Sequence, residues 1–341
     1  MQGRGFQDAA TPFAGASAFS PRAGARNLLA GCADVRAGQH VVIVAEDPAL
    51  GWYDAEAPAV VAAEAEALGA TVTIVPAGPP SEDLSNAARD RIDTADLTIF
   101  FARIGDKDRF GEGRLKCPSV VSYARTVAEL GSSFATRPHA ELQELKSKVE
   151  ALTFQAQSIE VTCPLGTRLN GSPAAMDGVG DVTVKRFPLC VPAPVVAESF
   201  SGVVALTRYL TPTGSQSYDP PSAAINGTVM AKIENGRLTD LQGPPDAVTQ
   251  IRAHHEHVGA LFNIDPDVVH SWHAGIHSGC DAVRPAAPDP DLWSNSVFGS
   301  PRWLHFHTCG NYPPGEICWM VRDPTVLCDG RPVWQDGVLT A

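Results

Sequence analysis

Apolar and polar residues recur with two different periods along this chain, and the change from one to the other divides it. In the first half, unbroken apolar runs alternate with longer mixed segments. His40-Val41-Val42-Ile43-Val44-Ala45 is a run of the kind that belongs to a strand buried on both faces. The alanine-rich stretch Glu56 to Leu68, closed by Gly69, follows as a helix, and Thr71-Val72-Thr73-Ile74-Val75 is the next strand. The unit repeats with a helix over Asp83 to Ile92, strands Leu97 to Phe101 and Ser119 to Tyr123, and a helix from Ala140 to Phe154. Successive βαβ units predict an α/β fold: a Rossmann-like parallel sheet over residues 38–155. The first turn, Glu46-Asp47-Pro48-Ala49-Leu50-Gly51, is not GxGxxG, so no dinucleotide site is expected. Tyr53, Asp54, Arg103 and Asp106 fall in loops at strand ends, where they either reach a cleft or are solvated loop polars.

After Phe154 the pattern shortens to alternating strands bounded by turns. Ser158 to Thr162, Val203 to Leu206 and Gly227 to Ile233 are strands, and Asn235-Gly236 predicts a type I′ hairpin. Asp329-Gly330 repeats the idea near the C-terminus. Residues 156–341 therefore form a β-rich α+β half, with one long helix over Asp246 to Phe262. That helix carries His254, His255 and His257. Consecutive helical positions diverge by about 100°, so the three cannot meet one ion and are expected on a polar surface. Residues 1–37, rich in Ala, Gly and Ser without a period, are expected to be an arm or docking segment. Arg284 to Asp291, with three prolines, reads as a stiff linker or lid.

Composition narrows the function. The 341 residues are 44% hydrophobic and 19% charged, as in soluble globular proteins. A formal net charge of -12 argues against nucleic acid or an anionic membrane as partner and leaves a small molecule as the expected substrate. No apolar run has the length of a spanning helix and Met1 to Arg26 lacks the features of a leader, so a cytoplasmic protein is expected. The eight cysteines include no CxxC pair, which fits reduced thiols.

Candidate chemistry concentrates between Val268 and Cys309, which hold five of the ten histidines. In Trp303-Leu304-His305-Phe306-His307 the imidazoles alternate with apolar residues, so a strand directs both to one face. His273 and His277 share a face as well if their segment is extended. Three imidazoles on neighbouring strands suit a transition metal; the competing reading is of hydrogen-bonded core histidines beside Trp and Phe. Cys280 and Cys309 are either soft ligands or small buried thiols.

Val161-Thr162-Cys163-Pro164-Leu165-Gly166-Thr167, the Gly202-Val203-Val204 strand, the Asn226-Gly227-Thr228-Val229 to Gly236-Arg237-Leu238 segment and the two histidine clusters stand in an order that resembles the aminopeptidase T superfamily. Within it, the chain is most similar to the 2,5-dihydroxypyridine 5,6-dioxygenase branch. The superfamily's dinuclear peptidases take a bridging carboxylate from a Gly-Glu-Val motif; this chain has Leu189-Cys190-Val191-Pro192 in that vicinity, which argues against a two-metal peptidase centre. The resemblance implies metal ligation by His273, His305 and His307, the last standing where the branch has an aspartate. Fe(II) is the expected ion, with Zn(II) or another divalent metal as the alternative. A mononuclear non-haem Fe(II) dioxygenase is then expected, cleaving the ring of a small hydroxylated aromatic or N-heteroaromatic with O2, with Glu198, His277 and His139 as candidate proton carriers. The alternative is a Zn(II) hydrolase of the aminopeptidase or amidase kind with Glu198 or Glu316 as base, and a third reading is a non-catalytic relative. Glu316 is either a further carboxylate for the site or an exposed turn residue. A homo-oligomer is expected.

Overall fold

The computed structural model of the chain describes residues 20–107, 115–174, 184–212, 218–280, 286–311 and 315–341. Its first sheet starts as the apolar runs predict. β1 (His40–Glu46), β2 (Thr71–Ala77), β3 (Leu97–Phe101) and β4 (Ser119–Ser122) lie parallel, with helices Glu56–Ala67 and Asn86–Asp93 in the crossovers. Val41 and Ile43 pack on one side with Val61, while Val42 and Val44 pack on the other with Ala88 and Ile92. Burial on both faces is the reason the strand reads as an unbroken apolar run. The strand order β2-β1-β3-β4 reverses direction between β1 and β3. In open parallel sheets such a reversal leaves a crevice beyond the C-terminal strand ends.

Two expectations need correction. Only residues 1–19 of the expected arm lie outside the described residues; from Pro21 the chain is folded. Pro21–Arg26 and Asn27–Cys32 are consecutive helical segments, with Leu28 and Leu29 fully buried in the core of the parallel sheet. Arg22 and Arg26 pair with the buried carboxylate of Glu64. Small residues hid this, because they carry little period while permitting close approach: a Cβ on Gly24 would lie 2.0 Å from the Leu130 carbonyl oxygen. The boundary at residue 155 also fails to divide the sheets. β5 (Ile159–Thr162) and β6 (Arg168–Gly171) leave the parallel sheet, but β7 (Val184–Phe187) returns to pair with β4, Val120 opposite Lys185. Four residues reading Val-Lys-Arg-Phe show neither a run nor a sustained alternation.

The remaining strands are antiparallel. They are β8 (Val195–Val196), β9 (Ser201–Leu210), β10 (Ala223–Glu234), β11 (Arg237–Gln242), β12 (Val269–Ala274), β13 (Trp303–Cys309), β14 (Glu316–Arg322), β15 (Thr325–Cys328), β16 (Arg331–Gln335) and β17 (Val338–Leu339). One sheet runs β11-β10-β9-β6-β5-β15-β16-β17 and the other β14-β13-β12-β8. Both predicted hairpins form. Asn235 and Gly236 have φ of 50° and 70°, and Asp329 and Gly330 have 48° and 75°, the two left-handed residues of a type I′ turn. Trp272, Leu304, Phe306 and Trp319 from the smaller sheet share a core with Val204, Leu206, Val229 and Ala231 from the larger. Among the described residues no helix is long and apolar enough to cross a membrane.

Candidate metal centre

The smaller sheet has two faces of opposite character. Leu304 and Phe306 of β13 and Ile317 and Trp319 of β14 turn into the core. The alternate positions therefore turn to the other face. On that face register does the assembling: His273 stands opposite His305, Ser271 opposite His307, and on the far side His305 and His307 are opposite Met320 and Cys318. The His273 and His305 rings lie 4.1 Å apart between centroids, and His307 is 5.0 and 5.1 Å from them. One nitrogen from each ring falls within 4.8 Å of the others.

Hydrogen bonds fix which nitrogens face inward. His273 Nδ1–H donates to the Pro192 carbonyl at 2.9 Å, and His307 Nδ1–H donates to Glu316 Oε1 at 2.7 Å. Both Nδ1 protons are thereby spent, and each Nε2 is left as a lone pair. Those two Nε2 atoms are 3.1 Å apart. Two lone pairs at that distance repel unless a proton or a cation lies between them. The third ring, His305, has a buried Nδ1 with no hydrogen-bond partner among the described residues. Burial and the neighbouring imidazoles hold His273 and His305 well below the ordinary histidine pKa, which favours the neutral imidazole that a metal would require. The donor set thus fits a divalent transition metal held by imidazole.

Glu316 corrects the exposed-turn reading: it is 3% exposed, on β14 rather than in a turn. Cys318, which sequence reasoning passed over, donates its Sγ–H to the same oxygen at 3.1 Å. The signal was present in the alternation Glu316-Ile317-Cys318-Trp319-Met320, a strand that went unread. The Pro192 carbonyl carries no sequence signal.

His277 does not share the face of His273. β12 ends at Ala274, and Gly275 is pressed so closely against Gly299 and Ser300 that a Cβ there would meet backbone at 2.3 Å. Beyond this turn His277 is fully buried against Phe134, accepts from the Gly279 N–H, and has its pKa lowered to about 4 by burial. Glu198 is exposed. It sits in the turn after β8 with its backbone against Gly236, and is not part of the His273, His305 and His307 group. His139 is buried at the start of the helix His139–Phe154, beside Asn27, with its pKa lowered by burial.

The surface expectation for the helical histidines fails for two of three: in the helix Pro245–Phe262, His254 and His255 are buried and only His257 is exposed. Cys280 and Cys309 donate to backbone carbonyls, Ser296 and His255, instead of facing the imidazoles. Of the expected lid, residues 284 and 285 lie outside the described residues, and Pro290–Val297 is a helix. Tyr53 and Arg103 are buried rather than solvated.

No protein-family model matches this sequence, and no curated protein matches it. Among solved structures it is similar to 2,5-dihydroxypyridine dioxygenase from Pseudomonas putida KT2440, with a TM-score of 0.61 and 14% identity over 94% of this chain and 97% of that one. It is also similar to wild-type AmpT from Thermus thermophilus, with a TM-score of 0.56 and 12% identity over 94% of this chain and 99% of that one. Matched over nearly their whole lengths, the three chains share a fold, and the fold of this protein is that of the dihydroxypyridine dioxygenase and AmpT structures.

Proposed function

We propose that this protein is a mononuclear Fe(II)-dependent dioxygenase that opens the ring of a small hydroxylated aromatic or N-heteroaromatic compound. The observation carrying this reading is the convergence of three imidazoles whose two fixed Nε2 lone pairs face each other at 3.1 Å. His273, His305 and His307 would hold the ion, which supplies a binding position for O2 and for a substrate oxygen. Each residue then has a task. The Pro192 carbonyl holds the His273 tautomer. Glu316 draws on the His307 Nδ1 proton, so that imidazole takes on part of an imidazolate's charge. Negative charge that a ligating aspartate brings in the resembling branch is returned here one bond further out. Phe298 lies edge-on to His305 at 6.0 Å, an apolar neighbour on that side of the ring.

A second reading, a metal-dependent hydrolase, is favoured by one observation. His307, Glu316 and Cys318 form another group whose donor atoms lie within 4.8 Å, sharing His307 with the first. A two-metal centre would use both groups. Against it, the Cys318 proton is engaged on Glu316 and burial raises the thiol pKa well above its ordinary value, which opposes the thiolate a metal requires. Anaerobic loading with Fe(II) or Zn(II), elemental analysis and an oxygen electrode separate the readings. One equivalent of iron with O2 uptake on 2,5-dihydroxypyridine, catechol or 2,5-dihydroxybenzoate is expected. Two equivalents of zinc with amide or peptide hydrolysis and no O2 uptake would replace it.

A further inference from the structure

A second cluster of buried charge lies in the β1/β3 crevice. Glu46 ends β1 and Arg103 follows β3; Arg103 donates from Nε to Oε1 and from its backbone N–H to Oε2, each at 2.9 Å. Arg125 comes from the loop after β4 and is 2% exposed. Both guanidiniums lie over the Trp52 ring, that of Arg103 4.3 Å and that of Arg125 5.0 Å from its centroid.

A buried guanidinium is costly unless its donors are filled. Arg103 has Glu46. Arg125 donates from Nη1 to Ser296 Oγ at 3.2 Å, but its Nε is buried without a partner among the described residues. The nearby acids are engaged elsewhere. Glu129 accepts from the backbone of Arg125 and Thr126 as a helix cap, Asp54 from the backbone of Ala57 and Val127, and Asp106 from the Tyr123 hydroxyl. Asp291 accepts from Asn295. Burial raises the Asp291 pKa to about 7 even with both arginines near, the reverse of an ion-paired carboxylate. Arg125 Nε is therefore the donor of this cluster left unfilled among the described residues.

The cluster also adjoins the histidines. Tyr123 packs edge-on against Phe298 at 5.4 Å, and Phe298 packs in turn against His305. We propose that Arg125, with Arg103 and Trp52, receives a carboxylate carried by the substrate, so that the compound brought to the three histidines is a hydroxylated aromatic acid. A carboxylate matches the planar fork of a guanidinium and fills its open Nε. On a chain of net charge -12 an anionic substrate needs such a local cation. The reaction assigned to that acid rests on the proposed function; the carboxylate site itself does not.

Calorimetric titration of the Fe(II)-loaded protein under argon with 2,5-dihydroxybenzoate and with hydroquinone, which differ only in the carboxylate, tests this. The acid should bind about tenfold tighter or more, and Arg125→Met should bring the two within about twofold with metal content unchanged. If Arg125→Met does not fold, Arg125→Lys serves: it keeps the charge, loses the fork, and should cut the preference at least about threefold. Equal affinities in the parent protein, no binding of either compound, or a preference that survives the substitution overturns the proposal. Repeating the titration on metal-free protein separates the two readings. A protein that takes up no metal on anaerobic loading yet keeps the preference sinks the proposed function alone, and a metal-loaded protein without the preference sinks only the carboxylate site.

Discussion

The helix Pro245–Phe262 and the β12–β13 pair both bury histidines, and they spend the ring nitrogens differently. His255 uses both: Nδ1–H donates to the Pro266 carbonyl at 2.8 Å and Nε2 accepts from Trp319 Nε1 at 3.0 Å. In the sheet, the Nδ1 atoms of His273 and His307 are spent and the Nε2 atoms converge. Burial lowers basicity in both places, to about 4 for His254 and His255. A buried, weakly basic histidine is therefore no sign of a metal site by itself; converging lone pairs with no internal partner are. His254 makes the same point, because its buried Nε2, without a partner among the described residues, belongs to no group of converging donors there.

The sharpest way to break this comparison is to remove one ring from each group. His305→Ala should lose bound Fe(II) or Zn(II) altogether in elemental analysis after gel filtration, since two remaining imidazoles hold such ions poorly, whereas His255→Ala should keep one equivalent. The reverse result would erase the distinction. A smaller effect is expected from Glu316→Gln, which keeps the shape but removes the charge that polarises His307. Metal affinity measured against a chromophoric chelator should fall about 10- to 100-fold. An unchanged affinity would leave Glu316 no part in the centre.

Acid sensitivity sharpens the other side. His254, His255 and His277 are held near 4 in the folded chain against an ordinary 6.5. Because the folded value is the lower one, the unfolded chain takes up the proton first. The stability is whole above pH 6.5 and is lost as pH falls from there toward 4, by up to about 1.4 kcal/mol per pH unit for each histidine. In urea unfolding of the metal-free protein between pH 7 and 5, His255→Gln should lower the slope by up to one proton; the same slope in both proteins would show that His255 carries no such penalty. The smallest effect belongs to His257→Gln. Its ring is exposed and donates to the Asp219 carbonyl, so stability should change by less than about 0.5 kcal/mol with metal content intact. A loss above about 1 kcal/mol would put His257 with the buried pair.

Much of the fold was legible because its signals are local. Apolar runs marked β1 to β4, and Asn235-Gly236 and Asp329-Gly330 marked their hairpins, since a two-residue turn depends only on its own φ angles. The alternation in β13 likewise put His305 and His307 on one face. The same local reading went astray wherever a distant partner decided. It extended β12 to His277, because nothing near Gly275 in sequence reveals the Gly299–Ser300 backbone against it. It left His254 and His255 on the surface, because Trp319, their helix's buried neighbour, is far along the chain. It could not see β7 joining β4, nor Arg125 and Trp52 meeting in the crevice.

What the sequence determined by itself is therefore a set of local periods: the runs that form β1 to β4, the alternation that puts His305 and His307 on one side of β13, and the turn residues of two hairpins. Only the tertiary structure decided the register that sets His273 opposite His305, the carbonyl and carboxylate that take the two Nδ1 protons, and the Arg125 Nε left without a partner among the described residues. The division has one physical cause. Backbone geometry repeats from one residue to the next and is written in local order, while hydrogen-bond partners act over a few ångströms of space between residues 9 to 171 positions apart in the chain.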